Sequence, residues 1–271
     1  MSKDELSGGS LQRSERAHYT LAPAAWVAGA SDVGQRHQSN EDALCIAVRE
    51  GDDRAAVIAV ADGVSTAHGS EVASLVAAER AVTVLVERHR AGTPDNVAVV
   101  EAFAQAHEAV LASPVGGEPS ACTLITAQVA AGQLLIANVG DSRAYWFGDD
   151  GEAVLLSTDD SLAQARIMLG MSRDDAELSA HAHAITKWLG RNATNVLPSV
   201  ICHRPTGAGW LLLCTDGLWN YASAPAAMGD LLRTCLARSA SLSTVVEELV
   251  AWANQQGGRD NITAVLARVD V

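Results

Sequence analysis

Val57-Ile58-Ala59-Val60-Ala61-Asp62-Gly63 is a short apolar run that stops at a carboxylate and a glycine. An apolar run this short, with no polar alternate, describes a strand buried on both faces, and Asp-Gly is the turn signal that ends it. Trp210-Leu211-Leu212-Leu213-Cys214-Thr215 reads the same way and ends at Asp216-Gly217. A third run, Ile262-Thr263-Ala264-Val265-Leu266-Ala267, is preceded by Arg259-Asp260-Asn261. A carboxylate at the mouth of a buried strand is costly unless something positive meets it. Several of them converging describe a divalent metal site with oxygen ligands. A hydrolytic metalloenzyme is the reading that follows.

Outward from these runs, strands are predicted near 25–31, 43–48 and 55–61, then at 121–130, 133–139 and 142–147. Glu71 to about Arg90 switches to alanine-rich helical spacing, closed by Gly92 and Pro94, and a second helix is predicted over Asp95–Ala112. Helical spacing returns near 161–169, followed by a polar segment around Ser172 to Asp175, and again near 224–238 and 243–256. Strand groups broken by helix pairs favour an α+β layered sandwich over a parallel doubly wound sheet. Residues 1–20 are polar and without periodicity, so they are read as a loose tail. Residues 21–271 are read as one catalytic domain.

Composition narrows the partners. Of 271 residues, 48% are hydrophobic, enough for a full core, and the formal net charge is -13. That charge argues against nucleic acid or an anionic membrane as the main partner. No apolar stretch approaches the ~20 residues that span a bilayer, and Met1-Ser2-Lys3-Asp4-Glu5 lacks the order of a secretion signal. The five cysteines are scattered without zinc-ligand spacing, as expected of free thiols in a reducing cytoplasm.

Taken together, the blocks resemble the metal-dependent serine/threonine protein phosphatases of type 2C, in their bacterial form. The resemblance rests on Ser31-Asp32-Val33-Gly34 with Asn40-Glu41-Asp42-Ala43, and on Val60-Ala61-Asp62-Gly63 with Glu71-Val72-Ala73-Ser74. It continues through Ala137-Asn138-Val139-Gly140-Asp141-Ser142-Arg143, Cys214-Thr215-Asp216-Gly217-Leu218-Trp219 and Arg259-Asp260-Asn261-Ile262-Thr263. Asp-Gly alone is a common turn; all blocks in one order are specific.

The resemblance implies a four-layer αββα sandwich of two antiparallel sheets flanked by helix pairs, with the site at one end. It implies that Asp62 bridges two Mn²⁺ or Mg²⁺ ions, with the Gly63 carbonyl, Asp216 and Asp260 as further ligands. Asp42 would hold metal-bound water, and Asp141 with Asp216 would hold a third, looser ion. The activity implied is hydrolysis of phosphoserine and phosphothreonine in proteins by a hydroxide bridging the metals, in signal transduction, on substrates of a serine/threonine kinase. A cytoplasmic monomer is expected. Hard cations prefer carboxylate and carbonyl oxygens, and two of them can acidify a water and clamp a phosphate for in-line attack.

The chain also departs from the pattern. Val64-Ser65-Thr66-Ala67 replaces the usual Met-Gly-Gly-His, with His68 one place beyond. Val64 cannot act as a general acid; metal-bound water or His68 are the alternatives. The phosphate-binding arginine of the family falls at His37, with Arg36 beside it. If this segment is a strand, only one of the two faces the site. Arg36 is assigned the phosphate contact for its planar fork of donors, with His37 as the alternative. Asp160, in Asp159-Asp160-Ser161, is read as a helix cap. His181-Ala182-His183 is read as a polar loop element, and Trp188 and Trp219 as anchors. Residues 162–184 correspond to a variable flap beside the metal site, where Met168, Met171 and Arg173 bear on substrate choice.

No cysteine is followed six residues later by arginine, and neither a Gly-x-Ser-x-Gly elbow nor a Walker phosphate loop is present. The competing class is a metal-retaining pseudophosphatase that binds phosphoproteins without turning them over. Such a module is expected to have lost metal aspartates, whereas Asp62, Asp216 and Asp260 all stand.

Overall fold

A computed structural model describes residues 16–51, 54–65, 68–93 and 95–270. The chain begins with β1 (His18–Ala24), β2 (Val27–Asp32), β3 (Ala43–Arg49) and β4 (Ala55–Ala61). Helices α1 (Ser70–Arg90) and α2 (Asp95–Leu111) follow, then β5 (Ala121–Cys122), β6 (Leu124–Ala130), β7 (Gln133–Val139), β8 (Arg143–Gly148) and β9 (Ala153–Leu155). An excursion carries the short α3 (Leu162–Met168) and α4 (Arg173–Glu177). The chain closes with β10 (Leu189–Gly190), β11 (Ser199–His203), β12 (Gly209–Cys214), α5 (Asp216–Trp219), α6 (Pro225–Arg238), α7 (Leu242–Gln255) and β13 (Ile262–Val269).

Two sheets carry the architecture, ordered β1-β2-β13-β12-β8-β9 and β11-β7-β6-β4-β3, with antiparallel pairing throughout. Strand alternation explains the continuous apolar runs. In β4, Ala56, Ile58 and Val60 enter the layer between the sheets, while Val57, Ala59 and Ala61 face α1 and α2. In β13, Val265, Ala267 and Val269 join the inter-sheet layer, while Ile262, Ala264 and Leu266 face α6 and α7. Both of these central strands are therefore buried on both faces, and four layers result: helix pair, sheet, sheet, helix pair.

The helices are built to cover these faces. In α7, Leu242, Val245, Val246, Leu249, Val250 and Ala253 form one buried stripe at helical spacing. Alanines 73, 77, 78 and 81 of α1 and 98, 102 and 106 of α2 are buried and small, letting the pair lie close. Pro225 opens α6, where a missing N–H costs nothing.

Three expectations change. Strand β1 starts at His18, within the span 1–20 read as a tail, and Arg16 is already buried; residues 1–15 lie outside the described residues. Residues 34–36 form a turn and not a strand, so alternation does not govern Arg36 and His37. The polar segment at 173–177 is helix α4, capped by the Ser172 hydroxyl.

Candidate active site

The strand registers bring the aspartates to one end of the sandwich. Ala43 pairs with Ala61, so Asp42 and Asp62 leave neighbouring strands side by side. Cys214 pairs with both Ala264 and Arg143, so Asp216, Asp260 and Asp141 leave the other sheet at the same end.

Asp42 is fully buried. Its Oδ2 accepts hydrogen bonds from Thr215 Oγ1 at 2.8 Å and Thr263 Oγ1 at 2.7 Å, while its Oδ1 has no partner. A buried carboxylate oxygen without a donor is expensive, and it is a place where a water or a cation would be accommodated. Glu41 Oε2 is likewise buried and unpartnered.

Asp62 is fixed through its backbone: its N–H donates to Thr123 Oγ1 at 3.0 Å, and Thr123 N–H returns to the Asp62 carbonyl at 2.8 Å. Gly63 N–H donates to the Glu41 carbonyl at 3.1 Å. A Cβ on Gly63 would stand 2.7 Å from the Ser70 carbonyl oxygen and 2.8 Å from that of Glu41, so only glycine fits between these walls. Asp216 opens α5 and accepts from Asn220 Nδ2 at 3.0 Å. Asp260 Oδ1 stands 3.3 Å from His37 Nε2, and accepts the Asn261 N–H at 2.9 Å.

Burial pushes the Asp42 carboxyl up to about 8, against the pull of the two threonines and with Asp260 and Asp216 adding to it. Burial likewise raises Asp216 to about 7, with Asp260 next. Asp62 and Asp141 lie well above the ordinary carboxylate range, through burial first and neighbouring carboxylates second. The aspartates thus feel one another, yet among the described residues no three His, Cys, Asp or Glu side chains stand ready around one point. An all-oxygen donor set, an orphaned carboxylate oxygen and a glycine cradle nevertheless fit hard divalent cations in chemistry.

Behind the aspartates lies a buried cation. Arg143 holds Asp159 through Nε (3.0 Å) and Nη2 (2.7 Å) and lies 3.6 Å from the centroid of the Trp219 ring. Burial works against this cation, but the Asp159 carboxylate outweighs it and raises the Arg143 pKa. Trp219 Nε1–H donates to the Asp141 carbonyl at 3.0 Å. The same guanidinium reaches the excursion at 160–184, donating from Nη2 to Glu177 Oε1 at 3.0 Å. Ser223 Oγ and Arg173 Nη1 donate to that oxygen too, at 2.7 and 3.0 Å. Between this flap and α5 runs a groove of about 900 Å³ lined by Leu178, His183, Trp219, Tyr221, Arg259 and Asp260, among others.

Asp160 does not cap α3; Ser161 does, accepting the Gln164 N–H at 3.2 Å. Asp160 instead accepts the Gly140 N–H at 3.0 Å, securing the turn that carries Asp141. Arg36 is exposed beside the half-buried His37, and His68 is exposed; Thr66 and Ala67 lie outside the described residues. His183 packs its ring against Trp219, 5.8 Å between centroids. Trp219 is buried, as expected of an anchor, while Trp188 is half-buried with its Nε1–H on the Arg191 carbonyl. Sequence reasoning missed Arg16, Thr215 and Thr263 as partners of Asp42. The threonines looked like ordinary strand residues, and nothing in the sequence marks Arg16.

Comparison with known proteins identifies the family. The Protein phosphatase 2C family profile matches residues 29–267. The serine/threonine phosphatase stp of Listeria innocua is 31% identical over 246 residues, covering 87% of this chain and 92% of that protein. The PPM Ser-Thr phosphatase MsPP from Mycobacterium smegmatis, solved with cacodylate, is 30% identical with a TM-score of 0.70, covering 91% of this chain and 100% of that one. The catalytic domain of the phosphatase PstP, solved with 2 manganese ions, shares the fold at 24% identity and a TM-score of 0.63, covering 90% of this chain and 98% of that one. The sandwich, the aspartate-lined end and these likenesses agree: the chain belongs to the protein phosphatase 2C family and is a bacterial-type protein serine/threonine phosphatase.

Proposed function

We propose that this phosphatase hydrolyses phosphoserine and phosphothreonine in proteins with two Mn²⁺ or Mg²⁺ ions. Asp62, the Gly63 carbonyl, Asp216 and Asp260 would hold them, and Asp141 with Asp216 a third, looser one. The ions, when bound, supply an acidified water and neutralise charge on the phosphoryl oxygens. The carrying observation is Asp42: Thr215 and Thr263 fix one oxygen, leaving the buried Oδ1 to hold and aim a water. The water oxygen bonds to phosphorus as the bond to the serine or threonine oxygen breaks, and that oxygen takes up the proton that the attacking water gives up. Val64 offers no acid for this step. Arg36, exposed on its turn, is assigned the phosphoryl oxygens, and the groove beside the flap receives the flanking peptide.

Substrates phosphorylated by a serine/threonine kinase, a monomeric state and a cytoplasmic location complete this reading. The five free cysteines support the location, since such thiols persist in a reducing compartment. No helix among the described residues is long and apolar enough to cross a membrane. The test is turnover of p-nitrophenyl phosphate and of a phosphothreonine peptide. Both should require added Mn²⁺ or Mg²⁺ and stop with a chelator; full turnover in metal-free buffer would sink the two-metal reading.

A further inference from the structure

Arg16 stands outside the family match at 29–267 and only 7% exposed. A buried arginine must place its donors well, and this one bridges two segments distant in sequence. Its Nη2 donates to the Asp42 carbonyl at 2.8 Å, and its Nη1 to the Glu71 carbonyl at 2.7 Å. Asn40 closes a ring: its Nδ2 donates to the Arg16 carbonyl at 2.9 Å, and its Oδ1 accepts the Asp42 N–H at 3.1 Å. Three residues on, Tyr19 of β1 accepts the Leu44 N–H at 3.3 Å through its hydroxyl.

The two carbonyls are informative because of what lies between them. Gly63 runs between Glu41 and Ser70, touching the backbone of both, and these are the immediate neighbours of Asp42 and Glu71. We infer that Arg16 is a positioning residue that staples the Asp42 and Glu71 segments around Gly63, fixing the Asp42 carboxylate and the Gly63 carbonyl for ion binding and attack. It touches neither substrate nor ions and acts through those two residues. The inference rests on the roles given to Asp42 and Gly63 above. It extends the working site to the residue that leads into β1, ahead of the segment that the family profile matches.

The test uses the full chain with Arg16→Met and the milder Arg16→Gln, which keeps one donor group. Mn²⁺ binding is measured by isothermal titration calorimetry, kcat and KM on a phosphopeptide at saturating Mn²⁺, and folding by circular dichroism. Arg16→Met should weaken Mn²⁺ binding about tenfold or more and lower kcat about tenfold with KM within about twofold, Arg16→Gln falling between it and the parent. A merely structural role would lower the melting temperature and leave both readouts unmoved below it. If Arg16→Met does not fold, Arg16→Gln decides. Folded variants with parental Mn²⁺ affinity and kcat would overturn the assignment of Arg16 alone. An unaltered protein that takes up no Mn²⁺ would overturn the metal reading and this inference with it.

Discussion

Glu177 on the flap and Arg143 beneath the active site meet at 3.0 Å, and the same guanidinium grips Asp159. The flap is thereby tied to the residue that packs under Trp219. Glu177→Ala should free the flap and leave the aspartate end in place. A charge-assisted hydrogen bond is worth ~1.5–3 kcal/mol, so the expected cost is a few kcal/mol of local opening. Proteolysis within 162–184 should accelerate, and the KM for a phosphopeptide should rise while that for p-nitrophenyl phosphate stays level. Equal effects on both substrates would place the damage at the phosphate site instead.

Asp62→Asn removes charge from the proposed bridging position and keeps the shape. Turnover should fall by at least about 10²-fold, since metal charge stabilisation is worth several kcal/mol. Metal-free stability should hold or rise, because a half-buried carboxylate among like charges is relieved. Asp141→Ala, at the proposed looser site, should reduce the rate less. Near-parental turnover of Asp62→Asn at saturating Mn²⁺ would remove Asp62 from the site.

Arg36 and His37 separate by Michaelis constant. Arg36→Ala should raise KM for a phosphopeptide about tenfold or more with an unchanged melting temperature, ~1.4 kcal/mol being one decade. His37→Ala should leave KM level and weaken Mn²⁺ binding, through its contact with Asp260. The reverse ranking would transfer the phosphate contact to His37.

Stability without metal should fall as pH rises. Asp42 is raised to about 8 and Asp216 to about 7, both from an unfolded value near 3.8. Between about 4 and 8 the folded state therefore binds more protons than the unfolded chain, and each pH step costs stability. Chelator-treated protein should melt lower at pH 8 than at pH 5.5, and Mn²⁺ should reverse the loss with release of protons. A melting temperature that climbs across this window would contradict the buried, proton-holding cluster.

The sheets were legible because each central strand is buried on both faces, leaving uninterrupted runs such as 57–61 and 210–214. The aspartates were legible because they sit at the ends of those runs. The arm before residue 21 was not, because β1 is a half-buried edge strand whose apolar residues are interrupted and make no continuous run. Arg36 and His37 were misframed for a local reason: Gly34, at φ 75°, turns the chain where a strand was assumed. Asp160 looked like a cap because Asp and Ser are equivalent signals in sequence, and only the fold decides which of the two meets the helix.

The division of the aspartates between two sheets has a mechanical consequence. Asp42 and Asp62 ride on β3 and β4, whereas Asp216 and Asp260 ride on β12 and β13. Strand pairing holds each pair internally, Thr215 and Thr263 tie Asp42 across to the other sheet, and the spacing of the two sheets follows what fills the layer between them: Ile58, Trp146 and Leu213 among others. That layer serves as a shim. Trimming it would slide one pair of carboxylates against the other without breaking a single strand pairing, so residues far from any phosphate can retune the site by thickness alone.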